Sequence, residues 1–361
     1  MPTDQTSEQQ NLHALLQLTL NPASAAQTPE HIAELSQSQR QEFLSLADSH
    51  HVVLRGLRPL QQTALLEKNS ELAAWIGTAI NAEEARIDHA VAELHRICSE
   101  LEAENCSATV IKSLDHWPDL GNDLDLYTAG PSSRLVQIMV KRLGAKAEPR
   151  SWGDRLAGKW NFALPGLKEL LEFHVGRLGQ TGEHRALAQR FLDRRVSKTV
   201  QGFEFFVPAP EERILVATLQ RMYRHFYFRV CDIVNTAALV DSGSLDFVEL
   251  RRATQAAGIW PGAATYLFIV SGYVERYRGK QLALPVEVLS AARFGPEKVR
   301  PSARFLRVPI LPEGADLFTR QVTRTALNGD LEATMRLNLL PPLAVAAALA
   351  YKLTGSDKGI W

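Results

Sequence analysis

Asp123-Leu-Asp-Leu-Tyr127 is the stretch of this 361-residue chain that says most about its architecture. Two leucines alternate with two carboxylates, and such alternation is typical of a β-strand with one buried face. Residues i and i+2 of a strand point to the same side. We therefore expect Asp123 and Asp125 to project together, while Leu124 and Leu126 face a core.

The two aspartates predict a metal site. Two like charges held side by side are unfavourable unless a cation lies between them. Carboxylate oxygens are good ligands for Mg²⁺, which usually also binds substrate phosphates. The simplest chemistry is therefore metal-dependent phosphoryl or nucleotidyl transfer. The competing interpretation is a pair on a solvated strand edge that binds nothing.

The surrounding sequence favours the metal site. Upstream, Ser107-Ala-Thr-Val-Ile111 is a short β-prone run that stops at Lys112-Ser113. Downstream, Leu170-Leu-Glu-Phe-His-Val175 is an apolar strand with Glu172 embedded in it. A carboxylate in such surroundings needs a partner or a metal. Three acidic residues on two strands, after a strand that ends near a hydroxyl residue, form a recognisable constellation.

This order of elements resembles the nucleotidyltransferase superfamily that includes DNA polymerase β. In that superfamily a strand ends in Gly-Gly or Gly-Ser, a carboxylate-x-carboxylate strand follows, and a third carboxylate lies on a later strand. The chain resembles more closely the family of uncharacterised bacterial nucleotidyltransferases, whose first strand typically ends in Lys-Gly. Lys112-Ser113 stands at that position here.

Three further segments carry the resemblance, which extends from about residue 35 to about residue 275. Glu172-Phe-His174 follows a predicted hairpin, as the Glu-x-His segment of that family does. Pro208-Ala-Pro-Glu-Glu-Arg-Ile-Leu215 resembles the start of its next helix. Arg229-Val-Cys-Asp232 resembles its Arg-x-x-Asp helix, although an ion pair between these two side chains along one helix face explains the same spacing.

The resemblance implies a fold and an activity. It implies a small mixed sheet of the α+β or α/β class, with carboxylate-bearing strands and helical regions on either side. The implied reaction transfers an NMP from an NTP to a hydroxyl acceptor of unknown identity. The site residues it implies are the catalytic carboxylates Asp123 and Asp125, which bind Mg²⁺ or Mn²⁺, and Glu172, either a further metal ligand or the general base that activates the acceptor hydroxyl. Lys112, Ser113 and His174 are expected around the nucleotide.

Departures from the family pattern motivate a second class of function. Lysine and serine replace the glycines that would let a triphosphate approach the backbone closely. Lys112 could instead neutralise phosphate charge, and the Ser113 hydroxyl could donate to it. His174 could orient Glu172, touch a phosphate or make a structural hydrogen bond. The competing class is an inactive module with the same fold, antitoxin-like or scaffolding, that binds a protein through its helical flanks.

Composition and segment character bound the remaining possibilities. Lys plus Arg and Asp plus Glu number 40 each, so no basic excess indicates a dedicated nucleic-acid binder, although a local basic patch stays open. Three unpaired cysteines and a polar start without a signal pattern predict a cytoplasmic protein. Pro341-Pro342 interrupts the apolar run 337–351, which therefore predicts a buried or docking helix rather than a membrane span.

Five regions are expected along the chain. They are a disordered tail over residues 1–10, a helical region over 11–104, a nucleotidyltransferase-like domain over 105–200, a helical domain over 201–290 and an irregular or helical segment over 291–361. Pro165-Gly166, between two short apolar runs, predicts a hairpin inside the third region.

Overall fold

The computed structural model describes residues 3–23, 32, 34–66, 69–302 and 304–354. Within these residues, five strands form one mixed sheet: β1 (Ala108–Val110), β2 (Asp123–Thr128), β3 (Lys146–Ala147), β4 (Lys159–Ala163) and β5 (Leu170–Val175). Their spatial order is β1-β2-β5-β4-β3. Strands β2 and β5 are parallel, and the other neighbours are antiparallel.

The sequence pattern explains the two central strands. Leu124 and Leu126 are fully buried, as the alternation predicted. Strand β5 buries Leu171 and Phe173 in the same core. The predicted hairpin around Pro165-Gly166 is confirmed, because β4 and β5 are its two antiparallel arms. The mixed helix-and-sheet class is likewise confirmed.

In the described part of the chain, four helices precede the sheet: α1 (Thr3–Leu20), α2 (Gln37–Ser49), α3 (Val53–Leu66) and α4 (Ser70–Ala103). The tail predicted to be disordered differs, because its residues from Thr3 onward belong to α1. Glutamine and glutamate propagate a helix well, and the apolar residues that follow anchor it, with Leu15 and Leu18 fully buried. Polar composition alone was therefore a poor guide.

Short elements connect the strands and lead out of the sheet. They are α5 (Ser132–Gln137), which continues as a π-helical turn (Ile138–Arg142), α6 (Trp152–Ala157), α7 (Arg185–Asp193), and the hairpin of β6 (Arg195–Val200) and β7 (Phe203–Pro208). This hairpin crosses the domain boundary expected at residue 200, because Gln201 and Gly202 form its turn.

The second half of the described chain is mainly helical. It contains α8 (Pro210–Met222), α9 (Val230–Asp241), α10 (Phe247–Ala256), α11 (Trp260–Arg278), α12 (Val286–Ala291), α13 (Ala315–Leu327), α14 (Leu331–Leu337) and α15 (Leu340–Thr354). A small antiparallel sheet of β8 (Tyr227–Phe228), β9 (Arg300–Ser302) and β10 (Phe305–Arg307) joins it. Pro261 occupies the first turn of α11, where a proline is tolerated because its missing N–H would have no partner within the helix.

One continuous apolar cluster joins these regions. It contains Leu15 of α1, Leu94 of α4, Leu126 of β2 and Tyr266 of α11. The His13 ring nitrogen Nδ1 also lies 2.8 Å from the Tyr277 hydroxyl, which ties α1 to the end of α11. The expected domain boundaries stay predictions, and the regions they separate share a core.

The apolar run 337–351 contributes the end of α14 and most of α15. Leu339 and Val345 are exposed, so this part of the run is not a buried helix. No helix among the described residues is both long enough and apolar enough to cross a bilayer.

Candidate active site and adjoining cavity

The pairing of β2 with β5 brings the central carboxylates together. Asp125 and Glu172 are direct register partners on these parallel strands, so their side chains project from the same face. Ligand atoms of Asp125, Glu172 and His174 all lie within 4.8 Å of one another, and this group could hold a metal ion. Asp123 is exposed and borders the same cavity, but it is not a member of this group.

The turn after β1 has an uncommon backbone. Lys112 has φ +64° and ψ −55°, and the Ser113 N–H donates to the Ile111 carbonyl at 2.7 Å. This is the rare form of the γ-turn, which is strained for any residue except glycine. The lysine thus occupies a glycine-like conformation at the position where the resembled superfamily has glycine.

Ser113 fastens this turn to β2. Its hydroxyl accepts a hydrogen bond from the Asp125 backbone N–H at 2.8 Å and lies 3.4 Å from the Asp123 carbonyl. The residue is almost completely buried. Its hydroxyl therefore positions the backbone of Asp125, and the predicted donation to a phosphate stays a prediction.

Two lysines neutralise the buried carboxylates. The Lys112 ammonium pairs with Asp125, and the Lys159 ammonium pairs with Glu172. The His174 Nε2–H donates to the other Glu172 oxygen at 3.0 Å. The structure thus supports the orienting role among those considered for His174. Lys159 was missed in the sequence, although the predicted hairpin places β4 directly beside Glu172.

The pKa values of the two paired carboxylates are shifted in opposite directions. Burial raises the pKa of Asp125 to about 7, against the attraction of Lys112 and with a further rise from the charge of Glu172. Burial also opposes ionisation of Glu172, but the hydrogen bond from His174 and the lysine charges hold its pKa well below its usual value. Partial loss of hydration at the cavity edge and the charge of Glu172 raise the pKa of Asp123. One carboxylate of the pair is therefore a strong ligand at any physiological pH, and the other gains its charge near neutrality.

The donor set fits a hard divalent cation. Asp125 and Glu172 supply carboxylate oxygens, as Mg²⁺ and Mn²⁺ prefer, and Asp123 adds a carboxylate without a basic partner within 4 Å among the described residues. Lys112 and Lys159 are flexible point charges on long stems. An incoming ion would compete with their ammonium groups for the same oxygens.

A cavity of about 250 Å³ adjoins these carboxylates, between the β1–β2 turn and helices α8 and α9. Five cationic side chains line it: Lys112, Arg213, Arg221, Arg224 and Arg229. Such a cavity suits an anionic ligand that brings or meets a metal ion.

The arginines of this cavity fall into two groups. Arg213 pairs with Asp115 at 2.6 Å, and the buried Arg221 pairs with Asp232 at 2.7 Å. The predicted side-chain pair between Arg229 and Asp232 is wrong, because Asp232 accepts instead from Arg221 and from the Arg229 backbone N–H at 2.7 Å. Across the described ranges, no carboxylate lies within 4 Å of the guanidinium of Arg224 or Arg229.

Arg224 was not predicted from the sequence as a candidate, and Arg229 was given only a helical role. The sequence signal that could have indicated these residues is a group of three arginines, at positions 221, 224 and 229, within nine residues at the α8–α9 connection. Their convergence on the carboxylates depends on how α8 packs against the sheet, which local sequence does not show.

Comparisons with known proteins add little. No family model matches the sequence, and no curated protein matches it. A solved structure with partial similarity is that of an antigenic nucleotidyltransferase-like protein from Paracoccidioides brasiliensis. Its TM-score is 0.30 and its identity is 15%, over 44% of this chain and 82% of that one. A likeness this weak assigns neither fold nor activity to the chain.

Proposed function

We propose that the protein is a metal-dependent nucleotidyltransferase that transfers an NMP from an NTP to a hydroxyl acceptor. The observation that carries the proposal is the register of Asp125 against Glu172, with Asp123 on the same strand and a cation-lined cavity alongside. Carboxylates that collect a metal beside arginines that collect phosphates are what nucleotidyl transfer requires.

Each part of the site has a role in this reaction. Asp123, Asp125 and Glu172 would hold Mg²⁺ or Mn²⁺, which supplies charge neutralisation at the phosphates when bound. Arg224 and Arg229 would bind the polyphosphate, because no protein carboxylate pairs with them in the described part of the chain. Lys112 would exchange its contact with Asp125 for a phosphate oxygen when the ion arrives.

Transfer to a hydroxyl acceptor requires removal of the hydroxyl proton. The acceptor oxygen bonds to the α-phosphorus and gives up its proton to solvent water, the bond from that phosphorus to the bridging β-phosphate oxygen breaks, and pyrophosphate leaves with the electron pair. Glu172 is a weak base because its pKa is low, so the metal-ligand role suits it better than the role of general base.

Binding and turnover test the proposal together. Calorimetry with each of the four NTPs in the presence of Mg²⁺ or Mn²⁺ should show binding to the wild-type protein below millimolar concentration. Pyrophosphate release should then report transfer when hydroxyl-bearing acceptors are added. Absence of binding at millimolar NTP with either metal would remove the proposal.

One observation favours the inactive module as a second candidate. Lys112 and Lys159 already neutralise the two buried carboxylates, so the fold does not need a metal to satisfy them. An inactive module would bind no NTP, and Lys112→Ala would leave its partner binding unchanged. Saturable NTP binding that depends on metal would exclude this candidate.

A further inference from the structure

A chain of hydrogen bonds reaches the cavity from the N-terminal helices. Asp119 is almost completely buried and accepts from the Leu54 N–H at 2.6 Å and the Arg55 Nε at 2.8 Å. Arg55 Nη1 donates to the Asn235 Oδ1 at 2.7 Å. Asn235 Nδ2 then lies 2.9 Å from the His116 Nδ1. Both Asn235 and His116 line the cavity.

This chain determines which nitrogen of His116 carries the proton. A guanidinium has only donors, so the Asn235 atom that faces Arg55 must be the oxygen. The amide nitrogen of Asn235 therefore faces His116 and donates to its Nδ1, which has no hydrogen. A neutral imidazole with a bare Nδ1 carries its proton on Nε2.

The surroundings keep this imidazole neutral. Burial lowers the pKa of His116 well below its usual value, and the neighbouring His51, Arg55, Arg229 and Arg221 act in the same direction. The His51 ring lies 5.2 Å from the His116 ring and is also held neutral by burial and by Arg229. The cavity wall at this point is therefore uncharged and aromatic, unlike the wall that holds Arg224.

The Nε2–H of His116 is a donor for which the described residues offer no acceptor. No acceptor among the described residues takes this hydrogen, and the ring borders the cavity. A neutral donor suits a neutral acceptor, because the guanidinium groups of Arg224 and Arg229, which pair with no carboxylate of the described residues, are better ligands for phosphate oxygens in the same cavity. The acceptor chemistry it fits is a base carbonyl, a ring nitrogen or a ribose oxygen.

Resting on the proposed function, we infer that His116 is a specificity-determining residue that donates its Nε2–H to the nucleoside part of the NTP. Asn235, Arg55 and Asp119 are positioning residues. They fix the tautomer and the orientation of the His116 ring, and the donor to the ligand is the Nε2–H of His116.

Two probes separate nucleoside contacts from phosphate contacts. Calorimetry with Mg²⁺ should compare each NTP with inorganic tripolyphosphate on wild type, His116→Ala, His116→Gln and Arg229→Gln. His116→Ala should weaken binding of the preferred NTP about 3- to 10-fold, the value of one neutral hydrogen bond, and leave tripolyphosphate binding unchanged. His116→Gln should recover part of the loss, since its amide is a neutral donor. Arg229→Gln should weaken the binding of both the NTP and tripolyphosphate.

Several results would overturn the inference. An equal loss of tripolyphosphate and NTP binding in His116→Ala would make His116 a phosphate ligand. Unchanged NTP binding in that variant would mean that it touches no substrate. A wild type that binds tripolyphosphate but gains nothing from the nucleoside would also contradict it, while a wild type that binds neither ligand would remove the proposed function itself.

A spectroscopic measurement does not depend on a variant that folds. Nitrogen-15 spectra of the wild-type imidazoles should show His116 protonated on Nε2 and bare on Nδ1 at neutral pH. Addition of the preferred NTP with Mg²⁺ should shift its Nε2 signal, and tripolyphosphate should not. A proton on Nδ1 in the free protein would overturn the inference directly.

Discussion

The ammonium group of Lys112, which lies in the strained turn after β1, contacts the carboxylate of Asp125 on β2. The left-handed backbone of Lys112 is unfavourable in free energy, and its ion pair with Asp125 is the interaction that offsets this strain. The same contact covers a carboxylate that a metal would need. Binding of a metal and release of the lysine are therefore coupled events at this site.

Replacing Lys112 by alanine and by glycine separates the effect of its charge on stability from the effect of its backbone conformation. Both variants lose the ammonium, so without metal we expect the free energy of unfolding to fall by about 1–3 kcal/mol in Lys112→Ala. Lys112→Gly should be more stable than Lys112→Ala by about 1 kcal/mol, because glycine relieves the left-handed strain. Urea unfolding in a chelator measures both. A glycine variant less stable than the alanine variant would show that the turn is not strained in solution.

Removal of a carboxylate that binds the metal should lower the affinity of the protein for that metal. Asp123→Asn should lower the affinity for Mn²⁺, because it removes an anionic ligand that has no basic partner within 4 Å among the described residues. Isothermal calorimetry with Mn²⁺ gives the affinity. Asp88→Asn is the matched control, since Asp88 is exposed on α4 and does not line the cavity. Equal Mn²⁺ affinity in wild type and Asp123→Asn would exclude Asp123 as a ligand.

Stability should depend on pH through Asp125. Its pKa of about 7 in the folded protein exceeds the value of about 4 in an unfolded chain. Between these values the folded protein holds a proton that the unfolded chain releases, so its contribution to stability is complete below pH 4 and is lost as the pH rises through 7. Asp125→Asn should therefore gain stability relative to wild type from pH 5 to pH 8, by roughly 2–4 kcal/mol in a chelator.

Denaturant unfolding at several pH values, with Asp88→Asn as control, measures this difference. A gain that stays constant across the range would mean that Asp125 is already ionised at pH 5, and that Lys112 outweighs burial.

The two groups of arginines should respond differently to the same substitution. Arg224→Gln should weaken tripolyphosphate binding about 10-fold or more and leave stability nearly unchanged, since it removes a charge that no carboxylate within 4 Å balances in the described chain. Arg221→Gln should cost about 3–5 kcal/mol of stability, because it leaves the buried Asp232 without its partner. Thermal unfolding and calorimetry on both variants test the contrast. A strongly destabilised Arg224→Gln would mean that it has a structural partner.

The central part of the site could be predicted from local sequence. Alternation placed Asp123 and Asp125 on one strand face, and an isolated carboxylate in an apolar run marked Glu172. A strand pattern contains no information on which residue of another strand lies opposite, so the direct pairing of Asp125 with Glu172 could not be derived. The left-handed backbone of Lys112 was equally hidden, because lysine itself does not signal it.

The helical side of the cavity was harder to predict for a different reason. Arg224, Arg229 and His116 acquire their roles from the packing of α8 and α9 against the β1–β2 turn. Their sequence neighbourhoods are those of ordinary helix ends and loops. The protonation of His116 depends on Asp119, Arg55 and Asn235, which are far apart in the chain and meet only after folding.

The contact of His13 with Tyr277 has a consequence for synthesis on the ribosome. Helix α1 is translated well before α11, because the tyrosine that contacts His13 follows more than 260 residues later. Helix α1 can pack early against α2 and α3, where Leu15 lies against Gly56, but its contacts with α9 and α11 must wait until most of the chain has been translated. Such distant contacts slow folding and lengthen the interval in which chaperones act. Pulse proteolysis of stalled nascent chains should find partial protection of α1 once α2 and α3 have emerged and full protection only after α11 has emerged.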